Sequence, residues 1–467
     1  MNRLSSILIG LSAIAFLIST DVTHADDYNS RGCGWPLLLS PEGPANFQGP
    51  DDAARYWIMP LDTTQYRAMT IHGTYPHLRY FAIAAYEVVP KDKDPGYDFE
   101  VGDHLYDAEI IPDQGANPFV KPGGRNEWPA KYLGQRGANR FVKPGGRNGT
   151  YTIEIARRDL QTAARARVVP KGVSPNTITV TADLVWIVLR AYVSDADASL
   201  TGQSLMGGVP LPTITLTDKK DVSKVLDTCS PINKWSDLMA LGRHLFPPEI
   251  DLPVDEDTPS SNRLWFASPA KPPGNLWPNP DGKYLMMLPG NEYQTGRVIV
   301  IRGKAPGFPD TFNGSAIWDP ARGFRSVDMR YWAICNMNLT WPPSVVACAT
   351  DLTTHLQGKE YTIVVSDDRQ RPDWLRPNIN WLPWGDVQYP KFVVLRNILP
   401  SAEFPYDAKD AWAECPFDYT YPPDRTALDA VGPCAQRVMG DYYPVALWCD
   451  KTTFVAGGFN ACLRDGD

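Results

Sequence analysis

The sequence predicts a mainly β protein: two related antiparallel β-sandwich units of jelly-roll type, a short helical insert between them, and a disulfide-tied C-terminal cap. Three observations predict it. Short runs rich in Val, Ile, Thr, Tyr and Trp are punctuated by 44 Pro and 36 Gly, which is the texture of short antiparallel strands and turns. Similar blocks recur in the same order in two parts of the chain. Eight cysteines form an even set, as in a disulfide framework.

The paired blocks define the units. "RYWIMP" (Arg55 to Pro60) resembles "KYLMMLP" (Lys283 to Pro289), and "RAMTIHGTYP" (Arg67 to Pro76) aligns without a gap on "RVIVIRGKAP" (Arg297 to Pro306). "HLRYFAIAAYEV" (His77 to Val88) is echoed by "DMRYWAICNMNL" (Asp328 to Leu339). "YTIEIA" (Tyr151 to Ala156) answers "YTIVVS" (Tyr361 to Ser366), and "WIVLRAYV" (Trp186 to Val193) answers "FVVLRNIL" (Phe392 to Leu399). Collinear blocks of this kind predict two related halves, roughly 50 to 215 and 260 to 405. Period-two patterning gives each strand one apolar face, and that face has to be buried against a second sheet. Arg79, Arg330, Arg190 and Arg396 stand inside these strands and are expected on the polar side or paired with a carboxylate.

The chain is divided as follows. Residues 1–25 read as an export signal, with Arg3, an apolar run from Leu4 to Ile18, and Thr23-His24-Ala25 at the cleavage position. A retained anchor is the rival reading, although the run is short for a membrane span. The first sandwich unit covers residues 26–215 and contains a tandem loop, in which Gly115–Asn126 and Gly137–Asn148 differ only at Pro118 and Arg140. Residues 216–260 form a linker with a helix candidate at Ser236 to Phe246 and the acidic stretch "PPEIDLPVDEDTP". The second unit covers 261–405. The cap, 406–467, has helical patterns in "DAKDAWAE" and "DRTALDAVGPCAQRVM".

Export to an oxidising compartment, secreted or periplasmic, makes disulfides the expected use of the cysteines. Cys335 and Cys348 flank Trp341-Pro342-Pro343-Ser344 and are expected to face each other on a hairpin. Cys415 with Cys434 and Cys449 with Cys462 are one possible pairing of the last four, and other connectivities stay open. A net charge of -8 spread along the chain argues against nucleic acid as a partner. After signal cleavage no transmembrane segment is expected; the oligomeric state is not legible.

"NINWLPWG" (Asn378 to Gly385), preceded by "YTIVVS" and followed by "FVVLRNIL", resembles the closing strands of exported bacterial hypothetical proteins with a β-sandwich domain of unknown function. In that family an Asn-Trp-Leu-Pro strand turn precedes a Phe-x-Leu-x-Leu-Arg strand. "RYWAIC" and the block around "NPFVKPG" resemble a subset with a doubled arrangement. The resemblance implies a fold and a compartment, and brings no catalytic residues with it.

Recognised catalytic signatures and dinucleotide or nucleotide loops are absent, and no cofactor is called for. His72 and His77 flank the turn Gly73-Thr74-Tyr75-Pro76, and with His104 they are the candidate metal or acid/base residues, against a reading as ordinary turn residues. Fifteen Trp include Trp374, Trp381 and Trp384 in one Pro-rich segment, candidates for stacking on a sugar ring or other flat ligand. The expected function is non-catalytic binding of a carbohydrate, an envelope component or a small apolar ligand in a groove between the units. An extracytoplasmic hydrolase and a surface-assembly subunit are the alternatives.

Overall fold

The computed structural model describes residues 32–43, 45–47, 49–90, 97–114, 117–119, 149–157, 176–194, 205–230, 262–268, 278–290, 293–309, 311, 327–340, 343–415 and 425–465. The export segment, nearly all of the tandem loop and the helix candidate at Ser236 to Phe246 lie outside them. Strands dominate what remains.

Four sheets are stacked in four layers. The N-terminal inner sheet has the order β1-β2-β8-β4-β5, from β1 (Leu37–Leu39), β2 (Ala54–Asp62), β8 (Leu184–Ser194), β4 (Leu78–Pro90) and β5 (Tyr97–Tyr106). The N-terminal outer sheet runs β10-β9-β3-β6-β7, from β10 (Ser223–Leu226), β9 (Thr213–Asp218), β3 (Tyr66–Thr74), β6 (Thr150–Arg157) and β7 (Thr177–Val180). The C-terminal inner sheet is β12-β18-β14-β15, from β12 (Gly282–Met287), β18 (Lys391–Pro400), β14 (Met329–Asn338) and β15 (Ser344–Thr350). The C-terminal outer sheet is β11-β19-β13-β16-β17, from β11 (Arg263–Leu264), β19 (Val445–Asp450), β13 (Arg297–Lys304), β16 (Glu360–Ser366) and β17 (Asn380–Pro383). Strand for strand, β2, β3, β4, β5, β6, β7, β8 and β9 take the same places as β12 to β19. Even the parallel pairs β6 with β7 and β16 with β17 coincide.

Paired residues show why the same words recur in the sequence. Gly73 lies opposite Tyr151 and Gly303 opposite Tyr361. A Cβ at Gly73 would come within 2.6 Å of the Tyr151 hydroxyl, and one at Gly303 within 2.5 Å of that of Tyr361. Each tyrosine therefore covers a bare stretch of backbone that only glycine provides. Val193 and Leu399, three positions after Arg190 and Arg396, both hold positive φ, 50° and 45°. Their N–H groups donate to Ala53 and Asp281 carbonyls.

Alternation along the inner strands feeds two cores. Odd positions of β4 such as Phe81 and Ile83 pack into the first sandwich with Trp57, Ile71 and Ile153. Even positions, Tyr80, Ala82, Ala84 and Tyr86, pack between the two inner sheets against Tyr331, Ala333, Cys335 and Val394. The inner strands are thus buried on both sides, whereas the sequence reading gave every strand a single buried face. Near-continuous runs such as "WIVLRAY" are what two-sided burial requires. A third core fills the second sandwich around Ile299, Trp332, Tyr361, Trp384 and Trp448.

The residues after 405 are more than a cap. Helices α1 (Ala408–Glu414) and α2 (Arg425–Met439) fall where the sequence placed helical patterns, and Asp407 caps α1 by accepting from the Lys409 and Asp410 N–H groups. β19, however, is an interior strand of the outer sheet, antiparallel to both β11 and β13. Helix α3 (Lys451–Asp465), kinked at Gly458, follows it directly. Four disulfides join Cys33 to Cys229, Cys335 to Cys348, Cys415 to Cys434 and Cys449 to Cys462. Among the described residues no helix is long and apolar enough to cross a membrane.

Candidate functional site

Between the inner sheets, where a ligand groove was expected, the side chains form a filled seam. Its apolar part is the core around Tyr80, Tyr192, Tyr331 and Cys335. Its charged part is reciprocal. Arg79 of the first unit pairs with Asp351 of the second, both wholly buried. Arg330, at the corresponding position of the second unit, pairs with Asp107 of the first at 3.1 Å. Each aspartate follows the matching edge strand and donates its backbone N–H to the carbonyl of the matching residue, Asp107 to Phe81 and Asp351 to Trp332. Arg396 completes the seam by donating to Asp51 Oδ2 at 2.8 Å, to the Tyr56 and Tyr192 hydroxyls and to the Gly49 carbonyl. The duplicated Arg-Tyr motif therefore joins one unit to the other. Charges buried this deeply persist only when paired and hydrogen-bonded.

One margin of the seam is more open. His104 Nε2 lies 3.1 Å from Asp281 Oδ1, and the Tyr80 hydroxyl donates to Asp281 Oδ2 at 2.8 Å. The imidazole is 29% exposed and the carboxylate 5%. Burial opposes the imidazolium, but the Asp281 hydrogen bond and charge outweigh it, so the His104 pKa is raised. Stability gained from this pair is full below the ordinary imidazole range and is lost as pH rises through the raised value. Asp107 and Asp351, pushed up to about 6 and about 7 by burial against the pull of their arginines, act in the same direction. The denaturation midpoint should accordingly fall between about pH 5 and about pH 8, with a shallower fall in His104→Asn. A midpoint that climbs over this interval would refute the assignment.

The outer faces of the two outer sheets differ. In the C-terminal unit Val298, Val300, Val364, Leu447 and Cys449 form an apolar face packed under Phe454 and Cys462 of α3. In register, the N-terminal unit presents Ala68, Thr70, Glu154, Thr215 and Thr217 at these positions. The rows across it read Thr215, Thr70, Glu154, Thr177, then Thr213, His72, Thr152. Thr70, Thr152, Glu154, Thr177, Thr215 and Thr217 are half-buried, while Thr213 and His72 are exposed. Hydroxyls on one pleated face repeat at about 4.8 Å between strands and about 6.8 Å along them. Threonines dominate the face, interrupted by the exposed Val225 beside Thr215 and by Ala68 beside Ala156, and among the described residues no helix packs on it as α3 does on its counterpart.

The candidate residues of the sequence reading fall in separate places. His72 lies on β3, hydrogen-bonded to Thr152, and His104 lies on β5, paired with Asp281. His77 is half-buried in the turn before β4, where burial lowers its pKa. The three histidines stand on the outer sheet, in a turn and on the inner sheet, and no group of three or more His, Cys, Asp or Glu suited to a metal occurs among the described residues. Trp384, expected at a ligand rim, is wholly buried between Tyr293 and Trp448. Trp374 and Trp381 pack beside α3, the former edge-on to Phe454, the latter donating to Ser366 Oγ at 2.9 Å. A Pro-rich indole cluster beside a helix is filled by that helix. The sequence reading missed Asp281, Asp113 and the threonines, whose signal was the exchange of Val300 for Thr70 between aligned blocks.

The chain is thus a double β-sandwich with a polar seam and a threonine-rich outer face on which no helix packs among the described residues. No family model matches it, and no curated protein does. Among solved structures it is similar to an uncharacterised protein from Burkholderia cenocepacia, at 13% identity and a TM-score of 0.44, over 81% of this chain and 82% of that one. It is also similar to the VPA0106 protein from Vibrio parahaemolyticus, at 13% identity and a TM-score of 0.36, over 89% of this chain and 92% of that one.

Proposed function

We propose that this is an exported, non-catalytic binding protein that takes a carbohydrate or carbohydrate-bearing envelope component on the outward face of its N-terminal outer sheet. Two copies of one sandwich unit, of the kind found in the exported bacterial family that "NINWLPWG" resembles, have diverged: one outer face acquired a helix, the other threonines. The observation that supports the reading is this exchange of Val300 for Thr70 and of Leu447 for Thr215 at matched register positions. The apolar start of the chain and four disulfides support export.

Arginine at Thr70 and Thr215 together is expected to reduce co-sedimentation with insoluble envelope polysaccharide at least about tenfold, equivalent to about 1.4 kcal/mol. The variant should stay folded with its melting temperature lowered by no more than about 5 °C, since both positions are half-buried and the two like charges face each other across the strands. Undiminished co-sedimentation by the folded variant would remove the face from consideration. A hydrolase reading has the His104, Asp281 and Tyr80 arrangement in its favour, because a carboxylate-oriented imidazole is suited to general base work. It requires that His104→Asn abolish release of reducing ends from the same material.

A further inference from the structure

Resting on the binding-face reading, we infer that Asp113, Thr152 and His72 form the polar anchor of that face and that its ligand is an uncharged, hydroxyl-rich glycan chain. The Thr152 hydroxyl carries one hydrogen. It is donated to Asp113 Oδ2 at 2.6 Å. At the 3.0 Å contact between His72 Nδ1 and Thr152 Oγ1 the ring must therefore be the donor. Nδ1 carries the proton in the neutral ring, and Nε2 is left as an acceptor. The His72 side chain is 57% exposed and that of Asp113 38%, so this chain of hydrogen bonds meets solvent directly. A fixed acceptor among hydroxyls that both donate and accept is a complement to a sugar hydroxyl.

Charge complementarity selects the class of glycan. Arg67 is paired with Asp221 at 2.8 Å, leaving Asp113 and Glu154 as the carboxylates on and beside the face. Among the described residues no Lys or Arg stands in the rows through Thr70 and His72, so an anionic polysaccharide lying along them would meet carboxylates and no cation. The matching position of the other unit, Arg302, is turned to other use: it lies by Glu360 and over the Phe459 ring of α3. One strand position thus serves helix packing in one unit and an outward acceptor in the other.

The test is affinity electrophoresis of the signal-cleaved chain through gels containing a soluble neutral glucan, a neutral galactomannan or, separately, a polyuronate. Retardation by a neutral polymer and not by the polyuronate is expected. His72→Ala should weaken it about tenfold, and Thr152→Val, which frees the ring to turn, should weaken it as well. His72→Gln, which keeps a side-chain acceptor, should recover most of the binding. If His72→Ala migrates as wild type while the Thr70 and Thr215 double arginine variant is released, the anchor is wrong and the face stands. If the double variant is retarded as strongly as wild type, or no neutral polymer retards wild type, both are wrong. Stronger retardation by the polyuronate overturns the ligand class.

Discussion

Asp351→Ala is expected to destabilise the protein by about 3 to 5 kcal/mol, the range for removing one partner of a buried ion pair. The cost is that of Arg79, wholly buried, left without its carboxylate. Asp107→Ala should cost less, because its partner Arg330 is 12% exposed and reaches water. Replacing Arg79 and Asp351 together by Met and Leu should recover much of the loss, since a seam filled by apolar side chains carries no desolvation penalty. Urea denaturation of the four proteins decides the matter. An Asp351→Ala midpoint indistinguishable from wild type would mean that the pair does not hold the seam.

Trp384→Ala is expected to cost about 3 to 5 kcal/mol through the cavity it leaves. The indole is wholly buried. It is edge-on to Tyr293, tilted against Trp448 and lies under the Lys391 ammonium. Trp381→Ala, at a half-buried position on the edge strand β17, should cost clearly less. Neither change should alter glycan retardation in protein that remains folded. Loss of binding with unchanged stability in Trp384→Ala would restore the indole to the ligand site.

Strands were legible because turns and alternation are local. The seam was not, because Arg79 and Asp351 are far apart in sequence and nothing local ties Arg to its acid. Aligned blocks showed that Arg79 and Arg330 correspond; only the packed sheets show that each reaches into the other unit. The half boundaries at 215 and 405 cut through β9 and before β19, so Thr215 and Leu447 were never compared. Six residues, "VALWCD", beyond the last helical pattern were too short a run to mark an interior strand. For the indoles, composition pointed to stacking surfaces, but whether an indole is rim or core depends on what covers it. In this fold α3 and the core of the second sandwich do.

The crossed pairing of Arg79 with Asp351 and Arg330 with Asp107 also sets a timetable. As the chain emerges from its N-terminus, the first sandwich can form its strands long before residue 351 exists. Until then Arg79 must stay hydrated, and the seam face with Tyr80, Ala82 and Tyr86 remains uncovered. The earlier unit waits, open and sticky, for the later one. A chain truncated after the first unit should therefore be held by chaperones or aggregate, and the interval between synthesis of the two halves is the protein's most vulnerable moment.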